Sequence, residues 1–281
     1  MEFRSEAALS SRKEGCAVRS KDVRIVICLI LSAILSVIPG CATQKATLPI
    51  ENSLPQSKLE YYNDSFDQMR EDLWDRVGYL YHEEQVQNFK LTDMRFDNGK
   101  LIIRTQAGSF SKGGLSSKYG LRGDFDIQLN CRMDFIKGIS SKDMDQVFNI
   151  GVFEKSVTIG KMSMAVIGLS MKGGSDQVHL FSNFVVNGRR KGEGSQKTEN
   201  FNGSFRILRT GKTISTLYKK AGTPEWTQMN TFRVTDNDMM ITFQLRNFFY
   251  NRKTIRAEHS ISVEFDSFKI NAAQEIIEEE I

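Results

Sequence analysis

The clearest pattern in the chain is a strict alternation of apolar and polar residues over 125–135. The apolar positions are Phe125, Ile127, Leu129, Cys131, Met133 and Phe135. A period of two is typical of a strand with one buried face and one solvated face. Cys131 falls on the apolar side, which favours an inert core thiol over a nucleophile.

Further strands follow the same pattern and are separated by glycine-based turns. They are predicted at 147–153, 161–171, 177–186, 204–209, 213–219, 239–246 and 259–270. Asn98-Gly99 and Asn187-Gly188 lie between apolar runs, and both residue types tolerate a positive φ, so each pair is a hairpin signal. Many short strands joined by such turns predict an all-β sandwich or barrel.

Before these strands, apolar residues recur at helical spacing. They are Phe66, Met69, Leu73, Val77 and Leu80, and Ser65 with Gln68 fits a capping box. The spacing predicts one amphipathic helix over 61–84. We expect it to pack on an outer face of the sandwich or to plug one end of it, with a partner-binding helix as the alternative.

The first forty residues have the pattern of an export signal. A basic flank precedes the uncharged run 25–38. At about 1.5 Å per residue this run is too short for a hydrocarbon core of about 30 Å, so it is interpreted as a signal-peptide core rather than a membrane span.

The signal core ends in Ile38-Pro39-Gly40-Cys41. This ending resembles the lipobox of bacterial lipoproteins through Ile38, Gly40 and Cys41, and departs from it at Pro39. The resemblance implies cleavage after Gly40, lipidation of Cys41 and anchoring in the bacterial cell envelope, in the outer membrane if the cell has two. An uncleaved signal anchor and ordinary cleavage nearby are the alternatives.

The predicted organisation has five parts. They are a signal peptide at 1–40, a lipidated cysteine and flexible tether at 41–60, the helix at 61–84, the sandwich at 85–271 and an acidic tail at 272–281.

Charge and composition exclude several classes of partner. Residues 1–40 hold six basic and four acidic residues, so their removal lowers the net charge from +4 to +2. Such a balance is no footprint for nucleic acid. His82, His179 and His259 are far apart and have no cysteine at ligand spacing, so no metal site is predicted, and no cofactor is indicated. Phenylalanine supplies 19 aromatic residues, beside 7 tyrosines and 2 tryptophans, which favours a filled interior.

Three segments together resemble one known family. These are 202–218 with the following Gly222 and Trp226, the closing strand Val263 to Ile270, and Gly123-Asp124-Phe125-Asp126. They are similar to core strands of concanavalin A-like jelly rolls. The resemblance implies a sandwich of two antiparallel sheets, and it is weak for activity because lectins and glycosidases share this scaffold.

Two enzymatic readings of this scaffold follow from motifs. Jelly-roll glucanases carry E-x-D-x-x-E on one strand, and here the nearest match, Glu264 to Lys269, ends in lysine instead of glutamate. Gln177-Val178-His179 and the stretch from Tyr218 to Gly222 resemble motifs of alginate lyases. That resemblance implies carboxylate neutralisation by Gln177 and proton transfer by His179 and Tyr218, but the R-x-E-L-R strand of such lyases is absent.

The leading hypothesis is therefore carbohydrate binding without catalysis, and a structural or protein-interaction module of the envelope is the alternative. Candidate ligand residues are Trp226, Tyr218, Arg246, Tyr250, Arg189 and Arg190. Aromatic rings can stack on a sugar. Arg189 and Arg190 open a polar segment, 187–200, that is predicted to be a long loop, and such loops are often functional.

Overall fold

A computed structural model describes residues 50–77, 88–138, 145–154, 162–234, 236–248 and 257–278. Within these ranges the chain forms one short helix and fourteen strands. The helix is α1 (Gln56–Tyr61). The strands are β1 (Trp74–Val77), β2 (Phe89–Leu91), β3 (Asp93–Phe96), β4 (Leu101–Arg104), β5 (Phe110–Met133), β6 (Asp145–Glu154), β7 (Met164–Met171), β8 (Val178–Val186), β9 (Arg189–Thr198), β10 (Phe201–Thr210), β11 (Thr213–Lys220), β12 (Thr227–Arg233), β13 (Met239–Phe248) and β14 (Ser262–Glu278). The predicted all-β class is confirmed.

The long strand β5 joins two layers into one hydrogen-bonded sheet. Its first half pairs with β1 and β13, its second half pairs with β10, and β14 runs beside residues 119–133. One layer, here called the front layer, has the order β1-β5-β13-β6-β7-β8-β9. The other, the back layer, has the order β3-β4-β14-β5-β10-β11-β12. The expected sandwich therefore forms, but its two sheets are continuous through β5. The described strands pair antiparallel, except that β2 runs parallel to β5.

Phenylalanine rings fill the space between the layers. The ring of Phe148 in β6 lies 6.1 Å from that of Phe205 in β10 and 5.3 Å from that of Phe265 in β14. Phe184 in β8 stacks on Phe232 in β12 at 4.8 Å. The phenylalanine-rich composition thus supplies the apolar interior that a two-layer fold requires.

The predicted alternation of 125–135 is confirmed within β5. Phe125, Ile127 and Leu129 are fully buried, and Cys131 and Met133 are 1% exposed. Burial raises the pKa of the Cys131 thiol well above its ordinary value. The thiol is therefore protonated and inert at neutral pH.

Both Asn-Gly hairpins form, but the polar segment after the second one is not a loop. Asn98-Gly99 joins β3 to β4, and Asn187-Gly188 joins β8 to β9, all four residues having positive φ. The predicted loop 187–200 was wrong, because β9 pairs with β8 along most of that length. As an edge strand, β9 has few buried positions, so it lacks the alternation that identified the other strands.

The helix predicted over 61–84 was also wrong over its described part, residues 61–77. Helix α1 ends at Tyr61, Phe66 has a φ of 59°, and the chain is a strand by Trp74. Phe66 and Leu73 are buried singly in the main core rather than along one helix face. Leu80 lies outside the described residues.

Parts of the segments predicted as a tether and as a tail belong to the folded sandwich. Gln274 Nε2 donates a hydrogen bond to the carbonyl of Glu51, Leu54 N donates to the carbonyl of Ala273, and Leu59 is 1% exposed, so the segment predicted as a tether packs on the sandwich from Glu51 onward. The predicted acidic tail 272–281 belongs to β14 as far as Glu278, because those residues pair with β5.

Asp64 fixes this N-terminal segment to the core. Its backbone exchanges two hydrogen bonds with Phe268 of β14, at 3.0 and 2.8 Å. Its carboxylate accepts a bond from Trp74 Nε1 at 2.8 Å and one from Phe66 N at 2.7 Å. Burial outweighs these bonds and raises the pKa of Asp64 above its ordinary value of 3.8.

Replacement of Asp64 by asparagine tests this burial. Because the folded-state pKa is raised, Asp64 stabilises the fold most where it is protonated, below pH 3.8, and that contribution is lost as the pH rises through the folded pKa. We expect the unfolding free energy of the native chain, relative to D64N, to fall as the pH rises above 3.8 and through the raised folded-state pKa. Urea denaturation followed by tryptophan fluorescence measures it. A difference that is constant with pH, or that rises with pH, would contradict the prediction.

A buried ion pair lies on the outer face of the back layer. Arg206 of β10 donates two hydrogen bonds to the carboxylate of Asp126 of β5, one from Nε to Oδ1 at 2.7 Å and one from Nη2 to Oδ2. The two side chains are 10% and 6% exposed. On the same face, Arg132 pairs with Asp134 at 2.8 Å, but both side chains are more than half exposed. The two pairs have the same chemistry and differ in burial.

Burial predicts different costs for breaking these pairs. Arg206→Gln leaves Asp126 as a buried charge, so we expect a loss of about 3–5 kcal/mol in unfolding free energy. Arg132→Gln breaks a solvated pair and should cost less than about 1 kcal/mol. Urea denaturation of both variants at neutral pH checks this, and equal costs would be inconsistent with the difference in burial.

Candidate functional site

A groove crosses the outer face of the front layer. Along β8, Val178, Leu180 and Ser182 point inward, and Ser182 Oγ lies 2.8 Å from Thr216 Oγ1 of the back layer. The alternate residues His179, Phe181 and Asn183 therefore point outward, where they line two adjoining cavities of about 330 and 490 Å³. These volumes lie within the range of small-ligand pockets.

The two cavities share a neck. Phe181, Asn183, Arg190 and Arg246 line both of them, so the cavities form one continuous groove over β13, β6, β7, β8 and β9. We call it the front groove. Its width is set by strand pairing rather than by loops, which makes it a rigid site.

The floor of the front groove is formed by apolar side chains. Val147, Val166 and Phe181 form a small buried cluster separate from the main core. Strand pairing places Gly168 between Asn149 of β6 and Phe181 of β8, and a β-carbon there would lie 2.0 Å from the carbonyl oxygen of Phe148. This glycine therefore lets β6 and β7 approach closely and leaves the floor open above them.

Amide side chains surround this floor. Asn149 of β6, Asn183 of β8 and Gln244 of β13 line the larger cavity. Gln244 Nε2 donates to Thr242 Oγ1 at 3.2 Å, while Asn183 Oδ1 is buried and has no hydrogen-bond partner within the described residues. Amides that both donate and accept are suited to hydroxyl-bearing ligands.

Cations outnumber carboxylates along the groove. The lining cations are Lys112, Lys172, Arg190 and Arg246, and the lining carboxylates are Asp145 and Glu193. Arg190 Nη1 donates to Glu193 at 2.9 Å, and Asp145 accepts a bond from Gly173 N at 2.7 Å. Both carboxylates therefore already have partners in the protein.

The three residues of the lyase hypothesis do not converge. Gln177 and His179 both line the smaller cavity, with His179 Nδ1 3.2 Å from Ser195 Oγ. Gln177 Nε2 donates to the backbone carbonyls of Val178 and Thr198. Tyr218 belongs to β11 of the back layer, and its hydroxyl accepts a bond from Gln196. The expected proton-transfer pair of His179 and Tyr218 is therefore not assembled in the groove.

The carboxylates also lack the geometry of a glycosidase. Glu264 and Asp266 lie on β14 of the back layer, where they approach Lys100 Nζ at 3.4 and 3.6 Å. In the groove, Asp145 and Glu193 lie on β6 and β9, three strand spacings apart, which is about 14 Å. Glycoside hydrolysis requires roughly 5–9.5 Å between its two carboxyl groups. The described groove carboxylates cannot flank one glycosidic bond.

The predicted ligand residues separate into three places. Arg190 and Arg246 line both cavities, and the exposed Arg189 begins the edge strand β9. Trp226 instead lies on the outer face of the back layer, with Arg206 and Lys219 over its ring at 5.4 and 5.1 Å. Trp226 and Tyr218 are therefore not groove residues. Tyr250 and Cys41 lie outside the described residues.

Sequence reasoning missed several groove residues, among them Lys112, Asn149, Asn183 and Gln244. Each occupies an outward position in a strand whose inward positions are mostly apolar. Alternation shows that such residues share a face of their own strand. It does not show which strands are neighbours, so it cannot bring the four together.

The described part of the chain shows neither a metal-binding cluster nor a membrane-spanning helix. No group of three or more histidine, cysteine, aspartate or glutamate side chains is placed there to hold a metal ion. No helix among these residues has the length and apolar character needed to cross a membrane.

No protein-family model and no curated protein matches the sequence. Solved structures do match the fold. A protein described as an immunostimulatory antigen and pseudo β-1,3-glucanase of Mycobacterium tuberculosis aligns with 10% identity and a TM-score of 0.52, over 78% of this chain and 98% of its own. LamAcat from Zobellia galactanivorans aligns with 10% identity and a TM-score of 0.51, over 74% of this chain and 96% of its own. A LamA variant from the same organism, in complex with laminaritriose and laminaritetraose, aligns with 10% identity and a TM-score of 0.50. This alignment covers 74% of this chain and 97% of the LamA chain. The chain has the concanavalin A-like jelly-roll fold of these structures.

Proposed function

We propose that this protein binds carbohydrate without cleaving it, and that the front groove is the binding site. The observation that carries the proposal is the composition of the groove, in which an apolar floor is surrounded by amide and cationic side chains. Its described carboxylates are too far apart for glycoside hydrolysis.

The chemistry of the groove matches that of a sugar. Val147, Val166 and Phe181 offer an apolar surface to the C–H face of a pyranose ring, and Asn183 and Gln244 can exchange hydrogen bonds with its hydroxyl groups. The solved structures support the same class of ligand by fold alone, since one of them holds laminari-oligosaccharides and another is described as a pseudo β-1,3-glucanase.

We also propose that the protein is an envelope lipoprotein anchored through Cys41. The proposal rests on the apolar run 25–38 and on the Ile38-Pro39-Gly40-Cys41 ending. Two or three acyl chains at one cysteine would give durable attachment, because each buried methylene contributes about 0.8 kcal/mol.

Asn183→Ala tests the groove as the glycan site. Because it removes one amide and its hydrogen bonds, we expect the dissociation constant for a glycan selected from an array of neutral and acidic polysaccharides to rise about two- to tenfold. Affinity electrophoresis measures the change. Trp226→Ala on the back layer is the control and should bind as the native protein does.

Three results would contradict this assignment. One is an array on which nothing binds. Another is a loss of binding in Trp226→Ala but not in Asn183→Ala, which would place the ligand on the back layer. The third is release of unsaturated products from a polyuronate, absorbing near 235 nm and abolished in His179→Ala, which would make the protein a lyase.

Cys41→Ser tests the anchor. We expect the native chain to incorporate labelled palmitate and to sediment with membranes, and the variant to lose the label and to leave the membrane fraction. Cys131→Ser is the control, because its thiol is buried in the core. A variant that still carries the label would refute lipidation at Cys41.

A further inference from the structure

We infer that the ligand of the front groove is an anionic polysaccharide, whose carboxylate or sulfate groups lie along a row of cationic side chains crossing the front layer. The inference rests on the proposed function and specifies its ligand class. It is carried by the strand register and by the charges that line the larger cavity.

Strand register places cations in one line across the sheet. Lys112 of β5 is paired with Arg246 of β13, which is followed in the same row by Val147 of β6 and Ser170 of β7. The row continues through His179 of β8 to Lys197 of β9. We call Lys112, Arg246 and Lys197 the cationic row; His179 lies between Arg246 and Lys197 in the same line. The row crosses five strand spacings, a span of about 24 Å.

The larger cavity is also lined by more cations than carboxylates among the described residues. Its described lining holds Lys112, Arg190 and Arg246 and no carboxylate. Lys112 and Arg246 lie side by side on neighbouring strands, which places two cationic side chains at one end of the row. A cleft lined by one sign of charge raises the local concentration of ligands of the opposite sign.

The carboxylates that line the smaller cavity only weakly reduce the attraction of the groove cations for an anionic ligand. Glu193 contacts Arg190, but both side chains are more than half exposed, so solvent reduces the strength of the pair. Asp145 accepts a backbone hydrogen bond from Gly173. An anionic group of a ligand can therefore replace Glu193 at Arg190, whose planar guanidinium donates two parallel bonds to a carboxylate or sulfate.

The spacing of the row favours a polymer over a small anion. Its charged ends are separated by Val147, Ser170 and His179, so a small anion at one end cannot reach the other. A chain of sugars lying across the strands would contact both ends and would pack its rings on the floor between them.

Paired polymers test the inference. Polygalacturonate and its carboxyl-reduced product differ in charge and share a backbone, and dextran sulfate with dextran forms the matched sulfate pair. By isothermal titration calorimetry we expect the full chain to bind at least one charged polymer about tenfold or more tightly than its neutral partner, with affinity that falls as salt rises.

Charge variants locate the contact. Lys112→Gln and Lys197→Gln, from opposite ends of the cationic row, should each weaken binding about three- to tenfold and reduce its salt dependence. Lys269→Gln is the matched control, since Lys269 is exposed on the outer face of the back layer. It should bind as the native chain does, and thermal unfolding of every variant verifies that it is folded.

The possible results separate this inference from the proposed function. Equal binding of a charged polymer and its neutral partner would leave carbohydrate binding intact and overturn the inference. Charge-dependent binding that Lys269→Gln reduces as much as Lys112→Gln would also overturn it. Binding of no polysaccharide would overturn the proposed function, even if the chain bound phosphatidylcholine vesicles containing phosphatidylglycerol.

Discussion

The backbone hydrogen bonds of β5 hold this sandwich together. Its first half completes the front layer, its second half completes the back layer, and β14 follows it across the change. Because the same strand belongs to both layers, their separation and relative orientation are fixed by one continuous segment. The front groove depends on this arrangement, since β13 is held against β5 and the other groove strands follow from β13 by pairing.

Local pattern predicted the strands that have one buried face, because burial of alternate residues leaves a visible period. It failed where burial is not periodic. Phe66 and Leu73 enter the core singly from an irregular segment, so their helical spacing did not correspond to a helix. The edge strand β9 is mostly exposed and therefore looked like a loop. The continuity of the two layers depends on pairing along β5, which no local period records.

The groove was harder to predict than the fold for a related reason. Arg190 and Arg246 could be selected as charged residues near strand ends, but the row that joins Arg246 to Lys112 exists only through the register of β13 on β5. Trp226 was selected for its ring alone, and that ring lies on the other layer, where it contacts Arg206 and Lys219. Residue type suggests a chemistry, and strand pairing decides which chemistries meet.

The packing of the N-terminal segment onto β14 has a consequence for reach. From Glu51 onward that segment is bonded to the sandwich, so under the lipid-anchor proposal only residues 42–50 separate the acylated cysteine from the folded body. Nine residues span at most about 32 Å even when fully extended. A sandwich attached to the membrane through so short a segment could not reach ligands far from the membrane surface. It would meet ligands displayed on its own membrane at a high effective concentration.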